Sequence, residues 1–163
     1  MRLLEAQEKA EGVKNALAPY CKRIEIAGSI RRKCMEIGDI EIVLIPDTSK
    51  LYQYKEAVNK YTKIKGDPLG KYTQRRHPSG CLIDIFICTP GTWACVYFIR
   101  TGSASYIYQI MCKQKEALIR FRDGRLWDCN TDGTHKNPIH NIKEEEDIFM
   151  ELGMEWVEPK DRI

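Results

Sequence analysis

Long apolar runs are missing from this chain of 163 residues. None approaches the ~20 consecutive apolar residues that a bilayer-spanning helix needs, so no membrane span is expected. Met1 to Ala10 carries charge at helical spacing rather than the apolar stretch of a secretory signal, and the expectation is a soluble intracellular protein. C-x-x-C spacing is also missing, although there are seven cysteines. An odd number with no close pair argues against a disulfide framework and against a four-cysteine zinc site. Free thiols in a reducing compartment, packed as small apolar groups, are expected instead. Cys129, His135 and His140 have zinc-ligand chemistry, but their spacing is loose. A strong net charge is missing: +3 permits a polyanionic partner without demanding one. There is no internal repeat and no low-complexity tract, which removes solenoids and linkers from consideration.

What is present reads as one domain or two small lobes, with 43% hydrophobic and 30% charged residues. Leu3, Ala6, Ala10, Val13 and Leu17 recur at helical spacing until Pro19. Ile24 and Ile26 alternate with Arg23 and Glu25, which predicts a strand running into Gly28-Ser29. Ile40 to Ile45 is a short β-branched run closed by Pro46, the pattern of a buried strand. Leu51, Tyr54, Val58 and Tyr61 return to helical spacing, and Gly66 to Gly80 suggests an irregular or hairpin segment. Cys81 to Cys88 is the third strong strand. A helix is expected from Ala104 to about Lys115, and Asp123-Gly124 suits a type I′ hairpin turn. Asn141 and Glu144 have capping-box spacing before a helix that ends at Gly153. The boundary is expected near Pro90 to Trp93, giving units 1–91 and 92–163.

Three carboxylates stand out. Asp39 and Glu41 are i and i+2 on one strand and so point to one face. Two anions there repel each other and resist desolvation, and a divalent cation relieves both costs. Asp84 interrupts Leu82-Ile83-Asp84-Ile85-Phe86, an expensive place for a carboxylate unless it is paired or metal-bound. If the two strands are neighbours, the three converge as ligands for two metal ions of the kind that support in-line displacement at phosphorus. Read singly, Asp39 suits a turn, Glu41 an outward strand position, and Asp84 a pair with Arg31 or Arg32. Gly28 allows close backbone approach to a phosphate, the Ser29 hydroxyl can donate to it, and Arg31 or Arg32 can add a guanidinium.

Ala27-Gly28-Ser29-Ile30-Arg31-Arg32 followed by Gly38-Asp39-Ile40-Glu41-Ile42-Val43 resembles the nucleotidyltransferase signature of family X (DNA polymerase beta-like) enzymes. Ile83-Asp84-Ile85-Phe86 matches the position of their third catalytic carboxylate. Arg100-Thr101-Gly102-Ser103-Ala104-Ser105-Tyr106 is similar to their Thr-Gly-Ser segment. Asp147-Ile148-Phe149 and Glu158-Pro159-Lys160-Asp161-Arg162 resemble the end of their thumb. The likeness covers nearly the whole chain in order, in a minimal palm-plus-thumb form similar to enzymes of some viruses and phages. It implies an α+β fold: a palm of mixed β-sheet with helices on one face, then a small α/β thumb.

The resemblance further implies DNA-directed nucleotidyl transfer, gap-filling or repair, with two Mg²⁺ ions (Mn²⁺ as substitute) on Asp39, Glu41 and Asp84. Gly28, Ser29, Arg32 and Gly38 would hold the triphosphate, and Thr101, Gly102 and Ser103 the sugar. Ser103 is equally suited to cap the following helix. Lys71, Arg75 and Arg76, with His77, would track a nucleic-acid backbone, and Tyr72 could stack on a base. Arg120, Arg122 and Arg125 are a weaker basic set. Partners would be primer/template or gapped DNA and a nucleoside triphosphate, with no membrane, for a monomer in the cytoplasm (the host's, if viral). The chain departs from the polymerases in carrying Glu41 for Asp, Ile99-Arg100 for an aromatic pair, and Ile107 and Met111 near base-contacting positions. Two other readings stay open: a template-independent transferase acting on RNA, protein or a small molecule, and a non-catalytic DNA-end binding module.

Overall fold

The computed structural model describes residues 1–114 and 118–163. The chain divides into two compact units, Met1–Cys88 and Thr89–Ile163, a few residues before the expected boundary. Among the described residues, no helix is long and apolar enough to cross a membrane.

The first unit follows the order α1 (Leu3–Leu17), β1 (Cys21–Ile26), α2 (Gly28–Arg31), β2 (Asp39–Pro46), α3 (Leu51–Asn59), β3 (Thr62–Lys65), β4 (Tyr72–Arg76) and β5 (Leu82–Ile87). The strands form one sheet in the order β1-β2-β5-β4-β3, with β2 and β5 parallel and the other pairs antiparallel. It is the mixed sheet expected. Alternation gives it two chemically different faces. Ile40, Ile42, Leu44, Ile83 and Ile85 point to one side and are fully buried with Ala6, Ala10, Val13 and Leu17 of α1 and Tyr54 and Val58 of α3. Each large aliphatic side chain buried this way contributes about 1.5–3 kcal/mol. Asp39, Glu41 and Asp84 occupy the intervening positions and point to the opposite side.

The stretch 66–80 is strand as well as turn. β4 is a full member of the sheet, although its inward positions are Thr73 and Arg75 rather than aliphatic residues. Arg75 is only 2% exposed, and its Nε and Nη2 are buried without a hydrogen-bond partner. Burial pulls its guanidinium below the usual arginine range.

The second unit contains α4 (Trp93–Thr101), α5 (Ala104–Lys113), β6 (Ile119–Arg122), β7 (Arg125–Cys129), β8 (His135–Pro138) and α6 (Glu145–Glu151). The three strands form an antiparallel sheet. The expected helix from Ala104 is described to Lys113; Lys115 lies outside the described residues. Asp123 and Gly124 both have positive φ, 51° and 73°, as a type I′ turn requires. The helix near the end starts later than its sequence suggested. Glu144 is the N-cap of a capping box: its side chain accepts the Asp147 backbone N–H, and the Asp147 carboxylate accepts the backbone N–H groups of Lys143 and Glu144 at 2.8 and 2.9 Å. These bonds hold its carboxyl below the usual aspartate range.

Glu145 is the larger surprise. It stands in a run of four acidic residues, yet it is buried and accepts a hydrogen bond from Arg162 Nη1 at 2.7 Å. The Arg162 guanidinium also lies over the rings of Phe98, Phe149 and Trp156, 4.9–5.4 Å from their centroids. Burial of a charge pair is tolerated because each charge meets the other at hydrogen-bond distance, with aromatic faces completing the shell.

Candidate active site

The parallel register of β2 on β5 sets Glu41 beside Asp84, with Asp39 beside Leu82. Residues paired across a ladder share a face, as do i and i+2 along a strand. All three carboxylates therefore rise from the non-core face of two adjacent central strands. Asp39 is partly buried, and both that burial and the negative charge of Asp84 push its carboxyl above the usual aspartate range. Asp84 takes its hydrogen bonds from the neighbouring strand rather than from Arg31 or Arg32: Tyr72 Oη and Gln74 Nε2 both donate to its Oδ1, at 2.9 and 2.8 Å. Sequence reading did not anticipate these two donors.

Glu41 is set differently. A Cβ built on Gly28 would fall 1.8 Å from Glu41 Oε2 and 2.7 Å from Cδ, so the Glu41 carboxyl lies directly over the Gly28 backbone. Gly28 also has φ +62°, a conformation L side chains rarely adopt. Glycine is needed there on both counts, and the Ala27 N–H to Glu41 carbonyl bond of 2.9 Å ties the same two segments together. Ser29 and Arg32 are partly buried just beyond, and Gly38 is exposed before Asp39.

The donor set suits a hard divalent cation, being carboxylate oxygen with like charges close enough to raise one carboxyl. Among the described residues, however, no three His, Cys, Asp or Glu side chains are gathered to cage a metal by themselves. The expected convergence is thus one of face and register, with Asp39 and Asp84 as its electrostatically coupled pair. Such an open set is compatible with Mg²⁺, which is commonly held by one or two carboxylates together with water and substrate phosphates.

The basic stretch needs correcting. Lys71 and Arg76 are exposed, but Arg75 faces the core and is withdrawn as a DNA contact. Period-two alternation sends every second residue of a strand inward, and Arg75 is one of those. Tyr72 is not an open stacking platform either: its ring stacks on Phe86, centroids 5.1 Å apart, with Lys65 Nζ over it at 5.2 Å. In the second unit, Arg120 donates to the carbonyls of Gln114 and Ile119, and Arg122 pairs with the neighbouring Asp123.

Thr101-Gly102-Ser103 forms the joint between α4 and α5. Thr101 is fully buried at the end of α4. A Cβ on Gly102 would meet Ile107 Cδ1 at 2.7 Å, so a larger residue there must push the Ile107 side chain aside. Ser103 Oγ accepts the Tyr106 N–H at 3.1 Å and caps α5.

Comparison with known proteins agrees with this architecture. Residues 94–163 match the family model of the DNA polymerase beta thumb. No curated protein matches the chain by sequence. Among solved structures, the whole chain superposes on 76% of Leishmania infantum polymerase beta, from its ternary P/T complex, with TM-score 0.80 and 18% identity. The chain therefore matches the polymerase beta thumb over residues 94–163 and shares the fold of polymerase beta over its full length.

Proposed function

We propose that this protein is a nucleotidyltransferase that extends a DNA 3′-hydroxyl by one nucleotide at a time, in gap filling or repair. The observation that carries the reading is the β2–β5 register, which aligns Glu41 with Asp84 and keeps Asp39 on the same face. A bound divalent cation would neutralise charge on the triphosphate and make the hydroxyl more acidic. Asp39 and Asp84 would hold it, with Glu41 beside them. Asp84 would accept the hydroxyl proton, directly or through water. The 3′-oxygen forms its bond to the α-phosphorus as the bond from that phosphorus to the α–β bridging oxygen breaks, and pyrophosphate leaves. Gly28, Ser29, Arg32 and Gly38 would bind the β- and γ-phosphates through backbone N–H, hydroxyl and guanidinium donors. Gly102 and Ser103, held by buried Thr101, would serve the sugar, and exposed Lys71 and Arg76 the nucleic-acid backbone.

The deciding experiment is primer extension on gapped DNA with each dNTP and Mg²⁺ or Mn²⁺. Extension by one nucleotide with release of pyrophosphate is the expected result. Absence of extension with every dNTP, together with transfer to an RNA, protein or small-molecule acceptor, would replace this reading by the template-independent one.

A further inference from the structure

The two oxygens of Asp84 are not equivalent. Oδ1 accepts both the Tyr72 hydroxyl and the Gln74 amide, at 2.9 and 2.8 Å. A carboxylate oxygen has two lone-pair directions, so two donors at these lengths fill it. Among the described residues, Oδ2 accepts no hydrogen bond. Both donors come from β4, whose antiparallel register sets Gln74 opposite Asp84 and Tyr72 opposite Phe86. Tyr72 is itself fixed, because its ring stacks on Phe86 with an interplanar angle of 27° and lies under Lys65 Nζ. Its hydroxyl is therefore delivered by a ring that cannot swing freely.

Without such donors, the terminal torsion of an aspartate is broad and roughly two-fold. Either oxygen, or both, would face an incoming ligand. The choice of donors is also informative. An arginine would fix the carboxylate equally well, but its positive charge would repel a cation at the same group and weaken its basicity. A phenol and an amide fix the geometry and leave the negative charge in place.

We infer that Tyr72 and Gln74 are positioning residues that hold Asp84 by Oδ1, so that Oδ2 alone meets the divalent cation or the reacting hydroxyl. The inference rests on the proposed function, because it assumes that Asp84 is the reacting carboxylate. It adds β4 to the working parts of the site, and it gives the sheet position of Tyr72 a purpose other than base stacking.

The test uses the full chain and two readouts: affinity of the metal-free protein for Mn²⁺, followed by the spin-resonance signal of the free ion, and single-nucleotide extension kinetics. Tyr72→Phe removes one oxygen and keeps the stack on Phe86. Gln74→Leu removes the amide at similar volume. Orienting partners of metal ligands are typically worth about 10–100-fold in affinity or activity, and the double variant should lose that much in both Mn²⁺ affinity and kcat. Nucleotide KM and melting temperature should change little. Unchanged Mn²⁺ affinity in the double variant, with Asp84→Ala losing affinity and turnover, would overturn this inference and leave the proposed function standing. Unchanged affinity and turnover in Asp84→Ala would remove both together.

Discussion

Each unit withdraws carboxylates from full contact with solvent, and the two do it in opposite ways. In the second unit, Glu145 is buried against Arg162, and three aromatic rings surround the guanidinium. Positive meets negative inside the chain, and the buried carboxylate is answered by a buried cation. In the first unit, Asp39 and Asp84 share a sheet face, burial and the charge of Asp84 raise the Asp39 carboxyl, and Asp84 takes neutral donors. A pairing satisfied within the fold serves the fold. A juxtaposition of like charges that the fold maintains at a cost suits something that arrives from outside, which under the proposed function is a cation and a triphosphate.

The contrast can be broken by mutation, with the largest effect expected at Asp84. Asp84→Ala should lower turnover by roughly 10²–10⁴-fold, the range for loss of a general base, while DNA binding in a gel-shift assay stays close to the unmodified level. If binding fell as far as turnover, Asp84 would belong with the structural carboxylates instead.

Arg162→Ala should show the reverse signature. Leaving Glu145 buried without its partner should cost about 3–5 kcal/mol, read from urea or thermal unfolding of the full chain. Replacing both, as Arg162→Met with Glu145→Leu, should recover much of that loss, because a buried pair can often be exchanged for apolar packing. No recovery would mean that the ion pair contributes more than local complementarity.

Gly28→Ala sharpens the comparison from the backbone side. The new methyl must displace the Glu41 carboxyl and adopt a positive φ, at a cost of about 1–3 kcal/mol. Extension activity should fall as well, since the group displaced is a carboxylate of the site. Gly12, around which a Cβ meets nothing within 4 Å, is the control: Gly12→Ala, in the middle of α1, should be neutral or stabilising.

The smallest effect tests the cost of the like charges. Asp39 has a carboxyl raised above its unfolded value, so the folded chain holds its proton more tightly. Native stability is then greatest below the ordinary aspartate range and declines as pH rises through the raised value. In metal-free buffer, Asp39→Asn should increase the melting temperature at neutral pH, and the gain should vanish in acid below the unfolded aspartate value. A gain independent of pH would assign the effect to packing rather than charge.

Much of the first unit is legible in the sequence. The apolar alternation of Ile40, Ile42 and Leu44, and of Ile83 and Ile85, marks two buried strands, and Asp84 is conspicuous between Ile83 and Ile85. Asp123-Gly124 is equally legible, because few residues but these tolerate two positive φ values in succession. β4 was hard to read because its inward residues are Thr73 and Arg75, which erase the apolar alternation by which a strand is recognised. The same substitution of polar for apolar residues made Arg75 look like a surface cation. Glu145 was obscured by its acidic neighbours, since only one of four adjacent carboxylates turns inward.

By itself the sequence determined local periodicity, turn chemistry and the parity of side chains along each strand, because these depend on residues a few positions apart. That was enough to put Asp39 and Glu41 on one face. Tertiary structure alone decided which strand lies beside which, and so that Glu41 stands next to Asp84, that Tyr72 and Gln74 reach a single oxygen of Asp84, and that Arg162 finds Glu145. Those pairings join residues far apart in the chain, and the free energy that selects them comes from burying whole faces, which no short window of residues contains.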